Sequence, residues 1–251
     1  LQSAQEIIER EMHIVGEIQR SFLPSAFPKR PRIDISASYR PSDQAGGDYY
    51  DIIEVGENHL GTVMADVSGH GASAAVVMAI THLLMRSFVN TFKFPSTALK
   101  VVNEKLNAHL SSEHYVTMFY GILDTRSMQY TFSSAGHIPM FHYRAKEKNV
   151  APLTTKMGFP LRSRLSDDYD EGQISLEMGD KIVLFTDGIV ETLNRDRRVF
   201  GEERLAEVLL RTGDRSAQET VEEIIRTWEV FRGDAPVRDD LTILVIRYVP
   251  D

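Results

Sequence analysis

Four short acidic motifs are the part of this sequence best suited to chemistry. Three of them place an aspartate at an end of a predicted strand, where a buried carboxylate is costly unless a cation or a donor compensates it. Several aspartates without clustered histidines suit hard divalent cations such as Mg²⁺ or Mn²⁺, which prefer oxygen ligands. Two such ions can activate a water and stabilise a phosphoryl-transfer transition state. The motifs are Gly46-Gly47-Asp48, Ala65-Asp66-Val67-Ser68-Gly69-His70-Gly71, Thr186-Asp187-Gly188 and Arg238-Asp239-Asp240.

Each motif also has a purely structural interpretation. An aspartate beside a glycine is more often a turn residue or a helix cap than a metal ligand. The metal interpretation is favoured because four such motifs occur at the strand edges of one predicted core. The chain contains no cysteine, which excludes disulfide scaffolds, thiolate zinc sites and cysteine nucleophiles.

The elements that must position these motifs follow from hydrophobic patterning. Runs of strands followed by pairs of helices favour antiparallel sheet with segregated helices, and therefore an α+β sandwich in one domain over residues 24–251. The segment 145–172 is polar and irregular, and Ser96 is the expected N-cap of the second helix in that domain. The patterns predict strands over 33–39, 50–55, 60–67, 115–123, 128–134, 138–144, 174–178, 181–185 and 241–248, and helices over 71–90, 96–110, 202–211 and 216–231.

Residues 1–23 have a different pattern from the rest. Apolar residues recur every seven positions from Leu1 to Phe22, and Pro24 ends the segment. This spacing predicts a helix with a short coiled-coil seam, in which Glu11 is a defect. Two interpretations stay open: a helix packed on its own domain, or a linker from an upstream sensor that forms a homodimer.

Charge and hydropathy exclude several classes of partner. The 251 residues include 28 Lys and Arg against 36 Asp and Glu, a net charge of −8, which disfavours nucleic acid as a partner and a nuclease as the enzyme. The longest apolar run, residues 74–80, is far too short to insert into a membrane. No export signal opens the chain, so we expect a cytoplasmic protein.

The motifs AGGDYYD, ADVSGHG, SSAGH, LFTDG and RDDLTILVI, in this order, resemble those of the PPM (protein phosphatase 2C-like) serine/threonine phosphatases. The most similar branch is the bacterial RsbU/SpoIIE type, and the resemblance extends from about Phe22 to Tyr248. It implies a β-sandwich of two antiparallel sheets flanked by helices. It also implies two Mn²⁺ or Mg²⁺ ions, or three, as cofactors.

The resemblance assigns a role to each matching residue. Asp48 would bind one metal or its waters. Asp66 would bridge both metals, with the main-chain carbonyl of Val67 as a further ligand. Asp187 and Asp239 would complete the site of the other metal. Asp66 and Asp187 are therefore the expected catalytic residues.

Several other residues have more than one interpretation. Asp240 could orient Asp239 or a metal-bound water, and the role of Asp51 is equally open. Eukaryotic relatives carry a histidine where Ser68 stands here. The proton donor is therefore either a metal-bound water or His70.

Three basic positions complete the candidates. Arg40, just before the first acidic motif, is a candidate for binding phosphate. His137 of SSAGH is either a functional residue of the family or, with more weight, a structural one. The cluster 195–198, with three arginines, is either a solvated loop or a docking site for an acidic or phosphorylated partner.

The sequence as a whole predicts a metal-dependent serine/threonine phosphoprotein phosphatase in bacterial signalling. No phosphoenzyme is expected, because the chain has neither a cysteine nor another dedicated nucleophile. The resemblance implies that the substrate is a small phosphorylated anti-sigma-factor antagonist of the STAS type. The alternative is a catalytically silent module of the same fold that acts as a dimeric binding partner.

Overall fold

Two five-stranded antiparallel sheets form the centre of the computed structural model, which describes residues 2–88, 94–110, 114–156, 158–163 and 165–250. Sheet A has the order β1 (Ile33–Arg40), β10 (Leu241–Tyr248), β9 (Lys181–Phe185), β6 (Met140–Arg144), β7 (Asn149–Leu153). Sheet B has the order β2 (Tyr49–Val55), β3 (His59–Val67), β4 (Val116–Asp124), β5 (Gln129–Ala135), β8 (Glu171–Ser175).

Helices cover the outer faces of both sheets. Helices α2 (Ala72–Phe88) and α3 (Pro95–His109) pack on sheet B. On the other side, α5 (Gly201–Arg211) and α6 (Ala217–Arg232) pack on sheet A, next to the short α4 (Asp187–Val190). The predicted α+β sandwich of two antiparallel sheets flanked by helices is confirmed.

The alternation of β2 and β3 decides which side chains point between the sheets. Tyr50, Ile52 and Met64 belong to the core that sheet A shares, whereas Tyr49 and Val63 belong to the core beneath α2 and α3. Successive side chains of a strand point to opposite faces. Positions 48 and 66 are each two residues from one of these inner-face positions, so they also belong to the inner face. Both lie at one end of the sandwich.

The N-terminal helix α1 (Gln2–Phe22) packs against α2. The ring of Phe22 lies 5.2 Å from that of His82, centroid to centroid. Ile8 and Ile18 of the predicted seam remain 63% and 53% exposed. The helix thus contacts its own domain and still presents an apolar face; Leu1, the first residue of the seven-residue pattern, lies outside the described residues.

Several predicted boundaries differ from the structure. The segment 145–172 contains β7, and the strand predicted over 174–178 lies at Glu171–Ser175. Ser96 is not the N-cap, because α3 already begins at Pro95 and Ser96 lies inside its first turn. The Ser96 hydroxyl donates instead to the Glu171 carboxylate at 2.7 Å. The last two residues of the helix predicted over 71–90 lie outside the described part of the chain.

Candidate active site

Strand pairing brings the acidic motifs to one end of the sandwich. In sheet B, the start of β2 lies beside the end of β3, with Tyr49 opposite Ala65. In sheet A, the end of β9 lies beside the start of β10, with Phe185 opposite Ile243. The motif aspartates come just before or just after these paired positions. Each sheet therefore contributes two of the four motifs.

Asp48 joins the two sheets. Its carboxylate is 1% exposed, and Oδ2 accepts a hydrogen bond from Thr186 Oγ1 at 2.8 Å and another from Thr242 Oγ1. These threonines stand at the end of β9 and the start of β10, so sheet A holds an acidic residue that precedes a strand of sheet B. Burial, followed by the charges of Asp66 and Asp240, raises the pKa of Asp48 well above its usual range.

Gly47 is packed against a group of oxygen atoms. A Cβ at this position would lie 2.6 Å from the Val67 carbonyl oxygen, 3.3 Å from Asp66 Oδ1 and 3.4 Å from the Gly69 carbonyl oxygen. A side chain at position 47 would therefore fill the space that these oxygens face. Carbonyl and carboxylate oxygens are the donors that Mg²⁺ and Mn²⁺ take in proteins, so this donor set fits the implied ions.

The remaining carboxylates are close enough to repel one another. Burial, and then the charges of Asp187, Asp239 and Asp240, raise the pKa of Asp66 to about 7. Burial also raises the pKa of Asp187 and that of Asp239. Such repulsion is what a bound cation relieves. Within the described ranges, no three His, Asp or Glu side chains are grouped closely enough to enclose one ion. The carboxylates therefore converge on one region without forming a finished coordination shell.

Asp240 organises the loop that leads to Asp48, a role that the sequence does not reveal. Its carboxylate accepts from the Ser42 backbone N–H at 2.7 Å, from the Ser42 hydroxyl at 3.0 Å and from the Gly47 N–H at 2.7 Å. Its own backbone N–H donates to Asp239 Oδ1 at 2.8 Å. Asp240 thus orients Asp239, one of the two roles predicted for it, but through the main chain.

Two predicted candidates lie away from this region. Asp51 accepts two hydrogen bonds from Arg86 of α2, both at 2.8 Å, and one from Tyr49 at 3.0 Å, so it holds α2 against sheet B. Arg40 donates to Glu229 of α6 at 2.5 Å. Its side chain therefore lies on the outer face of sheet A, which removes it as a candidate for binding phosphate at the site.

The loop after Asp66 carries the proton-donor candidate. His70 is exposed; burial raises the pKa of Asp239, and the charge of His70 lowers that pKa by less. Residues missed by the sequence analysis anchor the loop. His114 Nδ1 lies 2.5 Å from the Ser68 carbonyl oxygen, and the Tyr115 N–H donates to the Ser68 hydroxyl at 3.0 Å.

His137 contacts both sheets next to the site. Its Nδ1 lies 2.7 Å from Thr117 Oγ1 and its Nε2 lies 3.2 Å from the Phe185 carbonyl oxygen. Burial lowers the pKa of His137 to about 4, against the opposing effect of the Phe185 carbonyl, so the ring is neutral at pH 7. These contacts favour the structural interpretation of SSAGH.

A cleft of about 580 Å³ opens beside the sheet A half of the site. Gly188 and Asp239 line it together with Arg195, Arg197 and Arg238. Arg195 forms an ion pair with Asp234 across the cleft. Part of the predicted 195–198 cluster thus faces the approach to the acidic residues.

Comparison with known proteins identifies the family. The family model described as Stage II sporulation protein E (SpoIIE) matches residues 56–249. The phosphoserine phosphatase RsbU of Bacillus subtilis (strain 168) is 34% identical over 250 residues, which cover 98% of this chain and 72% of RsbU.

Solved structures show the same fold. The SiaA-PP2C domain of Pseudomonas aeruginosa superposes with a TM-score of 0.87 at 22% identity, covering 99% of this chain and 100% of that domain. RsbX, solved in complex with magnesium, superposes with a TM-score of 0.67 at 15% identity, covering 88% of this chain and 98% of RsbX. With a family model that matches most of its length and a relative aligned over nearly all of it, this chain belongs to the SpoIIE family of PP2C-type phosphatase domains.

Proposed function

We propose that this domain hydrolyses phosphoserine or phosphothreonine on a bacterial regulatory protein, with two Mn²⁺ or Mg²⁺ ions held between the ends of its two sheets. The observation that carries the proposal is the group of oxygens around Gly47, faced by the mutually repelling carboxylates of both sheets. When bound, the ions would supply an activated water and positive charge for the phosphoryl oxygens. The named relative RsbU, a phosphoserine phosphatase, supports the substrate class.

The chain's own residues have distinct tasks in this proposal. From sheet B, Asp66 and the Val67 carbonyl would bind the ions, and Asp48 would bind one of them or its waters. Asp187 and Asp239 would bind from sheet A. The buried hydrogen bonds that fix one oxygen of Asp48 leave its other oxygen for this task.

The leaving serine or threonine oxygen needs a proton. We assign this role to His70, the histidine of the acidic motifs, which is exposed on the loop after Asp66. His70→Gln should remove one limb of the pH–rate profile. An unchanged profile would exclude His70 as the proton donor.

The central test compares Mn²⁺-dependent hydrolysis of p-nitrophenyl phosphate, and of a phosphoserine peptide, by the parent and by Asp187→Asn. We expect Asp187→Asn to lose activity on both substrates, because it removes a ligand charge. Asp196→Asn is the matched control, since Asp196 is exposed in the neighbouring loop. Activity that survives chelation or Asp187→Asn would contradict the proposal. Mn²⁺ binding by a parent that hydrolyses neither substrate would favour the silent binding module.

The substrate that fits best is a small phosphorylated protein of the STAS type that antagonises an anti-sigma factor. The family resemblance of the motifs implies this substrate class, and the arginines that line the cleft beside Asp239 suit a phosphorylated partner. Purified phosphorylated STAS proteins should lose phosphate at rates above those of unrelated phosphoproteins. Equal rates would argue against this substrate class.

Helix α1 would act as the linker and homodimer contact of the domain. Ile8 and Ile18 lie exposed on a helix that otherwise packs on α2. Removal of residues 1–23 should change the oligomeric state or the activity, and no change in either would defeat this proposal. Among the helices that the structure describes, none has the length and apolarity to cross a bilayer.

A further inference from the structure

The loop 136–139 passes from β5 of sheet B to β6 of sheet A, and the ring of His137 contacts both sheets. On one side, Nδ1 lies 2.7 Å from Thr117 Oγ1 of β4. On the other, Nε2 lies 3.2 Å from the Phe185 carbonyl oxygen of β9. One side chain therefore bridges the two halves of the sandwich at the end where the acidic residues gather.

The hydrogen-bonded ladder between β6 and β9 ends before Phe185, and the His137 ring supplies a partner for the Phe185 carbonyl. Phe141 of β6 pairs with Val183 of β9, so the same register continued by two residues would place Pro139 opposite Phe185. Proline has no N–H to donate. The Phe185 N–H instead lies 3.3 Å from Met140 Sδ, and the Phe185 carbonyl accepts from the ring of His137.

The partners also assign the tautomer. A carbonyl oxygen can only accept, so the proton of the neutral ring belongs on Nε2. Nδ1 is then an acceptor, and the Thr117 hydroxyl donates to it. Both ring nitrogens are thus used, and the ring has one preferred orientation.

Each contact lies next to a proposed metal ligand. Thr117 is directly opposite Asp66 in the β3–β4 ladder, so the two side chains lie on the same face of sheet B. Phe185 is two residues before Asp187. The ring thus spans the gap between β4, which pairs with the strand that carries Asp66, and the end of β9, which leads to Asp187.

The backbone turn at Gly136 and His137 fixes the direction in which the His137 side chain leaves the main chain. The Ser134 hydroxyl accepts from the His137 N–H and donates to its carbonyl oxygen, both at 3.2 Å. Gly136 has a φ of +68°, and a Cβ there would lie 2.6 Å from Pro160. The glycine is therefore needed for this turn, and the turn aims the ring across the gap.

We infer that His137 is a positioning residue that fixes the separation of Asp66 and Asp187 across the two sheets and thereby sets the affinity of the site for divalent cations. This rests on the proposed metal centre. Outer residues that orient metal ligands typically change metal affinity by about 10- to 100-fold when they are lost. His137 would act in this way through a strand end and a ladder partner, without touching the metal.

The experiment measures Mn²⁺ binding to the metal-free protein by titration calorimetry, with the thermal midpoint of each variant. His137→Phe removes both contacts, and Thr117→Val removes the sheet B contact alone. We expect Mn²⁺ affinity to fall about tenfold in His137→Phe. The double variant should be no weaker than His137→Phe, because the two changes break one bridge. His137→Gln, which keeps a donor for Phe185, should recover part of the affinity.

His142→Phe is the matched control. His142 is another buried histidine, paired through Nε2 with Asp180 at 2.8 Å, on β6. Its replacement should lower the thermal midpoint without changing Mn²⁺ affinity.

The outcomes separate the two proposals. A parent that binds no Mn²⁺ would overturn the metal centre, and this inference with it. A parent that binds Mn²⁺, with His137→Phe and Thr117→Val within twofold of it, would overturn the inference alone. Should His137→Phe fail to fold, Thr117→Val decides the question by the same comparison.

Discussion

Gln19 offers the sharpest test of how α1 supports the site. The side chain is 3% exposed, and its amide makes two hydrogen bonds to one residue of the loop before Asp48. Nε2 donates to the Gly46 carbonyl oxygen at 2.6 Å, and Oε1 accepts from the Gly46 N–H at 2.9 Å. Gly16, one turn earlier, lies so close that a Cβ would be 1.9 Å from the Gln44 carbonyl oxygen. The helix is therefore fitted to this loop.

Gln19→Leu keeps the size of the side chain and removes both hydrogen bonds. Each buried polar group left without a partner costs about 1–3 kcal/mol, so the two groups of Gly46 together cost roughly 2–6 kcal/mol. In a domain of this size, 1 kcal/mol corresponds to about 2–4 °C in the thermal midpoint. We therefore expect a midpoint lower by about 4 °C or more, unless α1 detaches first.

Urea unfolding and amide hydrogen exchange distinguish these two responses. Global destabilisation lowers the free energy of unfolding, whereas detachment of α1 increases exchange at residues 44–48 and in α2. Both should weaken Mn²⁺ binding, because the loop before Asp48 loses one of its anchors. Glu17→Leu is the matched control, since Glu17 is 63% exposed and its only described ion pair is with His13 at 3.6 Å. If Gln19→Leu and Glu17→Leu agree in stability, exchange and Mn²⁺ affinity, the reasoning is wrong.

Three further predictions concern single side chains. Thr186→Val removes the 2.8 Å hydrogen bond to Asp48 and should weaken Mn²⁺ binding, measured by calorimetry, about tenfold. Gly188→Ala places a Cβ 1.9 Å from the Asp240 carbonyl oxygen, so Mn²⁺ affinity and the thermal midpoint should both fall. Burial lowers the pKa of Lys181 to about 8, below its ordinary value of 10.5. The cost of its buried charge is thus present below pH 8 and disappears as the pH rises, so urea unfolding of the parent should gain stability, relative to Lys181→Met, between about pH 8 and pH 10.

The accuracy of the sequence predictions follows the position of each strand in its sheet. Strands β9 and β10 have the bounds predicted for them, because central strands are nearly continuous apolar runs. The largest errors fall on β7 and β8, which are edge strands, whereas the central β6 differs from its predicted bounds by two residues at its start. Pro152 argues against a strand in sequence, yet an edge strand tolerates proline because one side of it has no partner.

In the candidate site, local sequence patterns predict some features, whereas contacts between residues far apart in the chain could not be predicted. The motifs place the acidic residues at strand ends, and strand ends can be predicted from local patterns. Asp240 could not be assigned to Ser42 in this way, since the two residues are 198 positions apart. Thr186 and Thr242, whose hydroxyls donate to Asp48, likewise lie 138 and 194 positions away from it, so local patterns do not reveal their role.

The sheet B half of the site is held by sheet A and by α1, and this has a consequence for regulation. Asp48, before a strand of sheet B, is fixed by Thr186 and Thr242 of sheet A. The loop before it is fixed by Asp240 on one side and by Gln19 of α1 on the other. Any change in the docking of α1 therefore reaches the loop before Asp48, through the Gln19–Gly46 hydrogen bonds and the packing of Gly16 on Gln44. A signal delivered to α1 would not need to move either sheet in order to change the metal affinity of the proposed site.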